Sequence, residues 1–216
     1  MLISRVMTKN PIFIHPDMTI NEVRSLMDKE KIGHLPVLDK RSHDLVGLIT
    51  RKDLLKAGPS AATSLDMYEI SYLLSKMTAR EVMEKAVITV GESEVVEEAA
   101  RIMADNRIGC LLVMRGKLLV GIITDTDLFH FFVNAFGARH PGVRVTCSIL
   151  EKPGQVARLS QAIAEKGGNL VAFVTSEGDD LSRRRVTLKV TGISRMDAET
   201  IIRVLSDVDL EDIREQ

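Results

Sequence analysis

Cysteine, net charge and long hydrophobic runs are all scarce in this chain of 216 residues. Its two cysteines, Cys110 and Cys147, form no CxxC pair, which excludes a disulfide scaffold and a multi-cysteine metal site. Basic and acidic side chains nearly balance, 29 against 30, so no net positive field attracts nucleic acid. No apolar run reaches the roughly 18 residues of a membrane helix, and the N-terminal residues lack a signal-peptide core. We therefore expect a soluble, cytoplasmic protein that binds neither nucleic acid nor membrane.

Catalytic signatures are missing as well. The sequence contains no phosphate-binding P-loop, no GxSxG nucleophile elbow, no HExxH zinc motif and no GxGxxG dinucleotide motif. Its five histidines do not have the spacing of metal ligands relative to cysteine or carboxylate residues. We therefore predict that the protein is not an enzyme, holds no metal and has no tightly bound cofactor. Its hydrophobic content of 45% is nevertheless sufficient for the cores of several small domains.

An internal duplication occupies the first two thirds of the chain. The first two pairs of matching segments are 76 residues apart and the third pair is 74 residues apart. Three matches in the same order indicate a tandem repeat whose second copy has lost two residues between its strands. The matching segments are 6–14, 32–38 and 47–54 in the first copy, and 82–90, 108–114 and 121–128 in the second.

Each copy is predicted to be a small α/β unit. Thr19 and Glu22 have the spacing of a capping box at the start of a helix. The second copy has Val95 in place of Thr19, so we expect Ser93 to supply that helix cap. Short runs of β-branched and aliphatic residues predict strands at 35–38 and 45–50, and at 111–114 and 118–124. An apolar run after each second strand predicts a further helix.

The order of elements after the repeat predicts a separate C-terminal unit of ferredoxin-like βαββα(β) topology. We expect strands at 143–149, 169–176, 184–191 and around 208–210, with helices at 155–166 and 197–206. The predicted fold class is therefore α/β (α+β), with two repeat domains and one ferredoxin-like domain. Their expected boundaries are 1–60 for the first repeat, 61–78 for a linker helix, 79–138 for the second repeat and 143–216 for the last domain.

A doubled G-h-I-T-x-x-D motif carries the strongest functional signal, with Thr50 and Asp53 in one copy and Thr124 and Asp127 in the other. One interpretation is a helix cap, since threonine followed by a carboxylate at this spacing caps a helix. The other is a ligand site, because a helix N-terminus binds phosphate and an ionised aspartate accepts hydrogen bonds from ribose hydroxyls. The repetition favours a ligand site, since glutamate would cap equally well and yet both copies have aspartate.

These paired blocks, over roughly residues 3–137, resemble a tandem of CBS domains, known as a Bateman module. The resemblance implies that the copies pack face to face and bind an adenosine-containing ligand, such as AMP, ATP or S-adenosylmethionine, in clefts between them. It also implies that Asp53 and Asp127 hold ribose and that Thr50 and Thr124 contact phosphate. The adenine would be sandwiched by residues near Pro11, Ile12, Ala86 and Val87, together with Ile49 and Ile123.

The two implied sites differ in charge. Arg51 and Lys52 lie between the threonine and aspartate of the first copy, whereas Asp125 and Thr126 take these places in the second. Coulomb attraction predicts that phosphate is favoured at the first site through Arg51, and that the second takes a less anionic ligand or stays empty. The alternative is that Arg51 is a solvated surface residue.

The C-terminal unit resembles an ACT domain, a regulatory module that binds amino acids in many biosynthetic enzymes. The similarity rests on Pro153-Gly154 at the first strand-to-helix turn and on Gly168-Asn169-Leu170 at the start of the second strand. It implies an amino-acid effector site at Gly154 and Asn169, although a turn with a helix cap explains the same residues. Glu151-Lys152 departs from the usual aspartate followed by a basic residue, and Val156 replaces the usual leucine.

The order of domains is similar to that of the bacterial acetoin-utilisation protein B type. The resemblance implies a non-catalytic regulatory sensor of adenine nucleotides or S-adenosylmethionine, linked to acetoin utilisation and assembled as a homodimer. The alternative is a structural or assembly protein in which both motifs serve only capping and packing.

Overall fold

The computed structural model describes residues 1–57, 72 and 76–215, in two compact units, Met1–Leu128 and Phe129–Gln216. The helices of the repeat region are a 3-10 helix Ile3–Arg5, α1 Ile20–Glu30, α2 Arg51–Lys56, α3 Ala79–Val82, α4 Val96–Asn106 and α5 Asp125–Ala135, which contains the boundary between the units. The strands are β1 Thr8–Lys9, β2 His34–Leu38, β3 Leu45–Thr50, β4 Thr89–Gly91, β5 Cys110–Arg115 and β6 Leu118–Thr124. The predicted linker helix over 61–78 lies almost entirely outside the described residues.

The two copies of the repeat have the same pattern of strand pairing. In the second copy β5 pairs antiparallel with β6, β4 lies parallel to β5, and β1 covers the free edge of β6. The first copy has the antiparallel pair β2–β3, with a parallel bridge between Ile14 and Val37 and an antiparallel bridge between Leu48 and Glu84 in the equivalent places. The duplication read from the sequence is therefore present in the structure.

The leading segment of each copy, residues 1–12 and 77–88, binds to the other copy. Strand β1 of the first copy pairs with β6 of the second, and Glu84 of the second copy bridges to Leu48 of the first. The first helix of each copy also binds the leading segment of the other copy. The Ile20 amide donates to the Met77 carbonyl at 3.0 Å, and the Val96 amide donates to the Met1 carbonyl at 2.9 Å. This exchange joins the two copies through backbone hydrogen bonds.

The helix caps agree with prediction in one copy and differ in the other. Thr19 and Glu22 form the predicted capping box at the start of α1. The expected cap from Ser93 is wrong, because α4 has no side-chain cap at Val95 and its first amide is bound by the Met1 carbonyl. A backbone carbonyl from the other copy satisfies the donor that a side chain would otherwise satisfy.

The motif glycines Gly47 and Gly121 leave room for the exchanged leading segments. A Cβ added at Gly47 would lie 2.7 Å from the Met83 sulfur and 3.0 Å from the Glu84 carbonyl oxygen, and one at Gly121 would overlap Met7. A glycine inside a strand is typical of such a close approach. The glycine of the motif is thus required by the packing of one copy on the other.

We predict that Gly47→Val destabilises the protein by about 1–3 kcal/mol, because the added side chain must displace Met83 and the backbone at Glu84. The matched control is Gly91→Val in β4, where an added Cβ meets nothing within 4 Å and a change within about 0.5 kcal/mol is expected. Urea denaturation measures both values. Equal stability of the two variants would contradict the assigned role of Gly47.

The C-terminal unit has the predicted ferredoxin-like order. It consists of β7 Val143–Leu150, α6 Gln155–Glu165, β8 Asn169–Glu177, β9 Arg183–Thr191, α7 Arg195–Val204 and β10 Val208–Glu215, and its antiparallel sheet has the order β10-β7-β9-β8. Strand β10 extends well beyond the few residues predicted around 208–210. Its register shifts between Leu210 and Asp212, and such a bulge interrupts the period-two pattern from which strands are recognised.

Candidate functional site: a cleft between the two copies

A cleft of about 490 Å³ lies between the two copies of the repeat. It has the volume of a typical small-molecule site. The cleft exists because strand β1 places the start of the first copy next to β6 and the start of α5 in the second. The first copy contributes Thr8, Asn10, Pro11, Ile12, Lys31, Ile32, Gly33 and His34, and the second contributes Ile122, Thr124, Asp125, Thr126 and Asp127.

Asp127 both caps helix α5 and lines this cleft. Its Oδ2 accepts hydrogen bonds from the Thr124 amide and the Thr124 hydroxyl, each at 2.8 Å. These bonds use one carboxylate oxygen, and a carboxylate has about four acceptor positions in all. Asp53 has the same geometry with Thr50, at 2.9 Å from the amide and 2.7 Å from the hydroxyl. Capping and ligand binding are therefore compatible at both aspartates.

The capping geometry alone does not distinguish these aspartates from other caps. Ser194 and Asp197 form an equivalent capping box at the start of α7, remote from the repeat in sequence. Thr78 caps α3 in the same way with Glu81. The choice of aspartate over glutamate is therefore a weaker sign of a ligand than the sequence suggests. The cleft beside Asp127 is what sets that residue apart.

Pro11 and Ile12 line the cleft together with Thr124 and Asp127 of the opposite copy. The Ile12 side chain is 42% exposed and thus available to an apolar ligand surface. The sequence pattern could place both segments near a site but could not show that they come from different copies. The two segments meet in one cleft because each copy's leading segment binds to the other copy.

The structure does not place Ile49 and Ile123 where their predicted roles beside the adenine require. Both residues are fully buried, at 0% exposure, and neither lines the cleft beside Asp127 or the cavity beside Asp53, whereas Ile122 lines the cleft. The reason is strand geometry: alternate residues point to opposite faces, so the residue two before Thr124 shares its face and the residue directly before it does not.

Ala86 and Val87 are not part of the cavity beside Asp53. Ala86 is exposed, and Val87 packs against the buried cluster that includes Leu112 and Ile122. That cavity, of about 390 Å³, is lined by Asp53, Lys56, Ala57, Met77, Glu81, Val82, Met83 and Glu84. Three carboxylates face one lysine there, which disfavours an anionic ligand. Thr50 is absent from this lining.

The Arg51 side chain binds residues of α1 and does not line the cavity beside Asp53, where its predicted role as a phosphate ligand would place it. Its guanidinium donates to the Asp28 carboxylate at 2.8 Å and to the Met27 carbonyl at 3.1 Å. Residues two apart on a helix lie about 200° apart around its axis, so Arg51 and Asp53 occupy different faces of α2. The side chain is 51% exposed, in agreement with the alternative that Arg51 is a surface residue.

His34 and Asp125 face the same space from different copies, a juxtaposition not predicted from the sequence. A Cβ added at Gly109 would lie 3.3 Å from Asp125 Oδ2 and 3.7 Å from His34 Nε2. Burial lowers the pKa of His34 below its ordinary value, while the carboxylates of Asp125 and Asp53 act in the opposite direction. No local pattern marks either residue; comparison of the two copies shows only that His34 occupies the position of Cys110.

The part of the chain that the structure describes contains neither a cluster of metal-ligand residues nor a thiol with a lowered pKa. No group of three or more histidine, cysteine or acidic residues is placed there to hold a metal ion. Burial raises the pKa of Cys110 and of Cys147 to about 12, so neither thiol ionises near neutral pH. No helix among the described residues is sufficiently long and apolar to span a membrane.

The C-terminal candidates Gly154 and Asn169 occupy a turn and a strand start. Gly154 precedes α6 with a φ of 87°, in the left-handed region that favours glycine, and a Cβ there would meet nothing within 4 Å. Asn169 is exposed and pairs with Thr191 in the sheet. Their roles in binding an amino acid remain predictions.

Two α/β repeats with exchanged leading segments and a cleft between them define a tandem CBS-domain architecture. The chain belongs to the CBS-domain family, whose family model matches residues 3–60 and 79–134. Residues 141–214 match the family model of the TTHA0829-like ACT domain. Both resemblances seen in the sequence are thereby confirmed.

Solved structures show the same architecture in the CBS pair. A putative acetoin utilization protein from Vibrio cholerae is 30% identical, with a TM-score of 0.53 over 64% of this chain and 95% of that one. The CBS domain pair of the protein MJ0100, in complex with 5′-methylthioadenosine and S-adenosyl-L-methionine, is 30% identical with a TM-score of 0.51 over 64% of this chain and 98% of that one. The protein CBSX2 in complex with AMP is 25% identical with a TM-score of 0.50 over 61% of this chain and 96% of that one.

Curated relatives are much longer than the region they share with this chain. The L-aspartate semialdehyde sulfurtransferase of Methanocaldococcus jannaschii is 32% identical over 132 residues, which are 61% of this chain and 23% of that protein. The chain thus spans about a quarter to a third of the first curated relatives it matches.

Proposed function

We propose that this protein is a regulatory sensor whose inter-copy cleft binds an adenosine-containing ligand of the AMP or S-adenosylmethionine type. The observation that carries the proposal is the cleft itself, which joins the Asp127 carboxylate of one copy to Pro11 and Ile12 of the other. Two structurally similar CBS pairs have been solved with such ligands.

Each part of the cleft matches one part of the ligand. The carboxylate of Asp127 accepts hydrogen bonds from the two ribose hydroxyls, and charge-assisted bonds of this kind contribute about 1.5–3 kcal/mol each. Pro11 and Ile12 provide an apolar surface for the adenine ring, with Ile122 on the opposite copy. The first turn of α5, beginning at Asp125, lies beside the 5′ substituent.

The expected affinity suits a sensor better than a permanently bound cofactor. At about −0.3 kcal/mol per heavy atom, a ligand of about 23 heavy atoms gains about −7 kcal/mol, or a Kd near 10 μM. Ligand occupancy would then follow changes in metabolite concentration, and the bound state would be favoured by its differential affinity. The cavity beside Asp53 is proposed as a second, weaker site because of its acidic lining.

The remaining parts of the proposal rest on the sequence and on the family. The ACT domain would respond to the bound CBS pair or bind an amino acid near Gly154 and Asn169. The protein would act without catalysis, as a cytoplasmic homodimer, and a link to acetoin utilisation is suggested by the similar protein from Vibrio cholerae.

One observation favours a purely structural role instead. Both motif aspartates are engaged as helix caps, as Asp197 is at a helix outside the repeat. In that case the motif would stabilise the repeat and the cleft would have no ligand.

A thermal-shift screen separates these two functions. AMP, ADP, ATP, NAD, S-adenosylmethionine and common amino acids are tested, with ribose 5-phosphate as a control that lacks the base. A ligand present at about 100 times its Kd stabilises the protein by about 2.7 kcal/mol, which raises Tm by several degrees. The sensor function predicts such a shift for at least one adenosine compound. No shift with any of them supports the structural role.

A further inference from the structure

The cleft has a third part that neither ribose nor adenine would occupy. If Asp127 holds the ribose and Pro11–Ile12 the adenine, the lining that remains for the 5′ substituent includes Lys31, His34 and Asp125. These groups come from both copies, because Lys31 and His34 belong to the first and Asp125 to the second. The 5′ substituent of the ligand would therefore lie beside charged and titratable groups from both copies.

His34 lies among carboxylates. Its Nε2 and the Asp125 Oδ2 both lie within 4 Å of the position beside Gly109, so they are within about 7 Å of each other, a range over which their charges interact. Asp53, at the start of α2, also acts on the imidazole. The charges that act on His34 thus include Asp53 and Asp125, and Asp127 and Lys31 line the same cleft.

The charge of this region is unfavourable for a phosphate while His34 is neutral. Asp125 and Asp127 carry two negative charges into the cleft, and Lys31 carries one positive charge. A 5′-phosphate adds one or two further negative charges. A proton on His34 adds a positive charge to this lining, since His34 lines the same cleft as Asp125, whose Oδ1 accepts hydrogen bonds from the Thr126 amide and hydroxyl.

We infer that His34 makes the cleft sensitive to the charge of its ligand: a phosphorylated adenosine binds with uptake of one proton from solvent by His34, whereas uncharged adenosine binds without it. The inference rests on the proposed function and specifies the ligand class at that site. Under it, acidic conditions favour AMP-type ligands, and alkaline conditions favour uncharged or cationic ones.

The sign of the pH dependence follows from the two pKa values of His34. Burial keeps the pKa of His34 below its ordinary value in the free protein, and a neighbouring phosphate raises it. AMP affinity is therefore highest below the pKa of the free protein and falls as pH rises towards the pKa of the complex. Within that window the fall is up to about tenfold per pH unit.

NMR titration of the histidine ring protons tests the inference directly. The whole protein is titrated from about pH 5 to pH 8.5 alone, with saturating AMP and with saturating adenosine. We expect AMP to raise the pKa of His34 by about one unit or more, and adenosine to leave it within about 0.3 units. The His34→Gln variant identifies the resonance, His34→Asn serves if that variant does not fold, and His140→Gln, an exposed position outside the cleft, is the control.

Calorimetry of AMP binding gives a second measure. The ratio of the wild-type affinity to that of His34→Gln should fall with rising pH, whereas the ratio of the wild-type affinity to that of His140→Gln should stay constant. The ionisation of AMP itself cancels in these ratios because it is common to all three proteins. An unchanged pKa of His34 when AMP is bound would overturn this inference and leave the proposed function intact. Failure of AMP to bind while S-adenosylmethionine binds would also overturn the inference alone, and failure of every adenosine compound would overturn both.

Discussion

Replacing Asp127 by glutamate is expected to weaken the binding of an adenosine ligand at least about tenfold while leaving the stability of the protein within about 0.5 kcal/mol. Glutamate can keep the cap, since Glu22 accepts from the Thr19 amide and hydroxyl at 2.9 and 2.7 Å, much as Asp127 does from Thr124. The additional methylene, however, moves the second carboxylate oxygen away from the ribose hydroxyls. Calorimetry measures the affinity and thermal unfolding the stability.

The matched control for this variant is Asp197→Glu at the capping box of α7. It makes the same chemical change at a cap outside the repeat, so ligand affinity should remain at the wild-type value. If Asp127→Glu and Asp197→Glu bind the ligand equally well, the carboxylate of Asp127 is a cap only. A large loss of stability in Asp127→Glu would show instead that glutamate cannot replace aspartate in this cap.

Ile12→Asp is expected to reduce AMP affinity by about tenfold to a hundredfold. Burial of an isoleucine side chain against the ligand contributes up to about 1.5–3 kcal/mol, and the new carboxylate joins Asp125 and Asp127 in repelling phosphate. The stability of the free protein should change little, because Ile12 is 42% exposed there. Calorimetry with AMP and urea denaturation measure the two effects.

Ala86→Asp provides the control for the exchange of leading segments. Ala86 is an exposed residue of the second copy's leading segment and does not line the cleft beside Asp127. Its substitution should therefore leave AMP affinity at this cleft unchanged. The opposite outcome, in which Ala86→Asp weakens binding and Ile12→Asp does not, would contradict the assignment of the ligand to the cleft beside Asp127.

The elements of the fold could be predicted because their signals are local. The Thr19–Glu22 capping box, the apolar periodicity of the helices and the β-branched runs of the strands all act within a few residues. The exchange of leading segments could not be predicted, since the amide of Val96 reaches the carbonyl of Met1 over a long separation along the chain. The same limit caused the error at Ser93.

The motif residues of the candidate site could be predicted from the sequence, whereas the residues that surround them could not. Thr124 and Asp127 can be recognised because the threonine-to-aspartate spacing recurs in both copies. A capping interaction at the start of a helix requires this spacing. The placements of Ile123 and Arg51 differ from the predicted ones because side-chain direction depends on strand alternation and on rotation around the helix axis. Lys31 and His34 carry no local signal, because only the packing of one copy on the other brings them to the cleft.

The most direct test of ribose binding by Asp127 is the affinity of the wild-type protein for AMP compared with 2′,3′-dideoxy-AMP, measured by calorimetry under the same conditions. The two ligands share the base, the phosphate and their charge, and they differ only in the hydroxyls that donate to the carboxylate. Loss of two charge-assisted hydrogen bonds predicts at least about a hundredfold weaker binding of the dideoxy compound. Equal affinities would contradict the account.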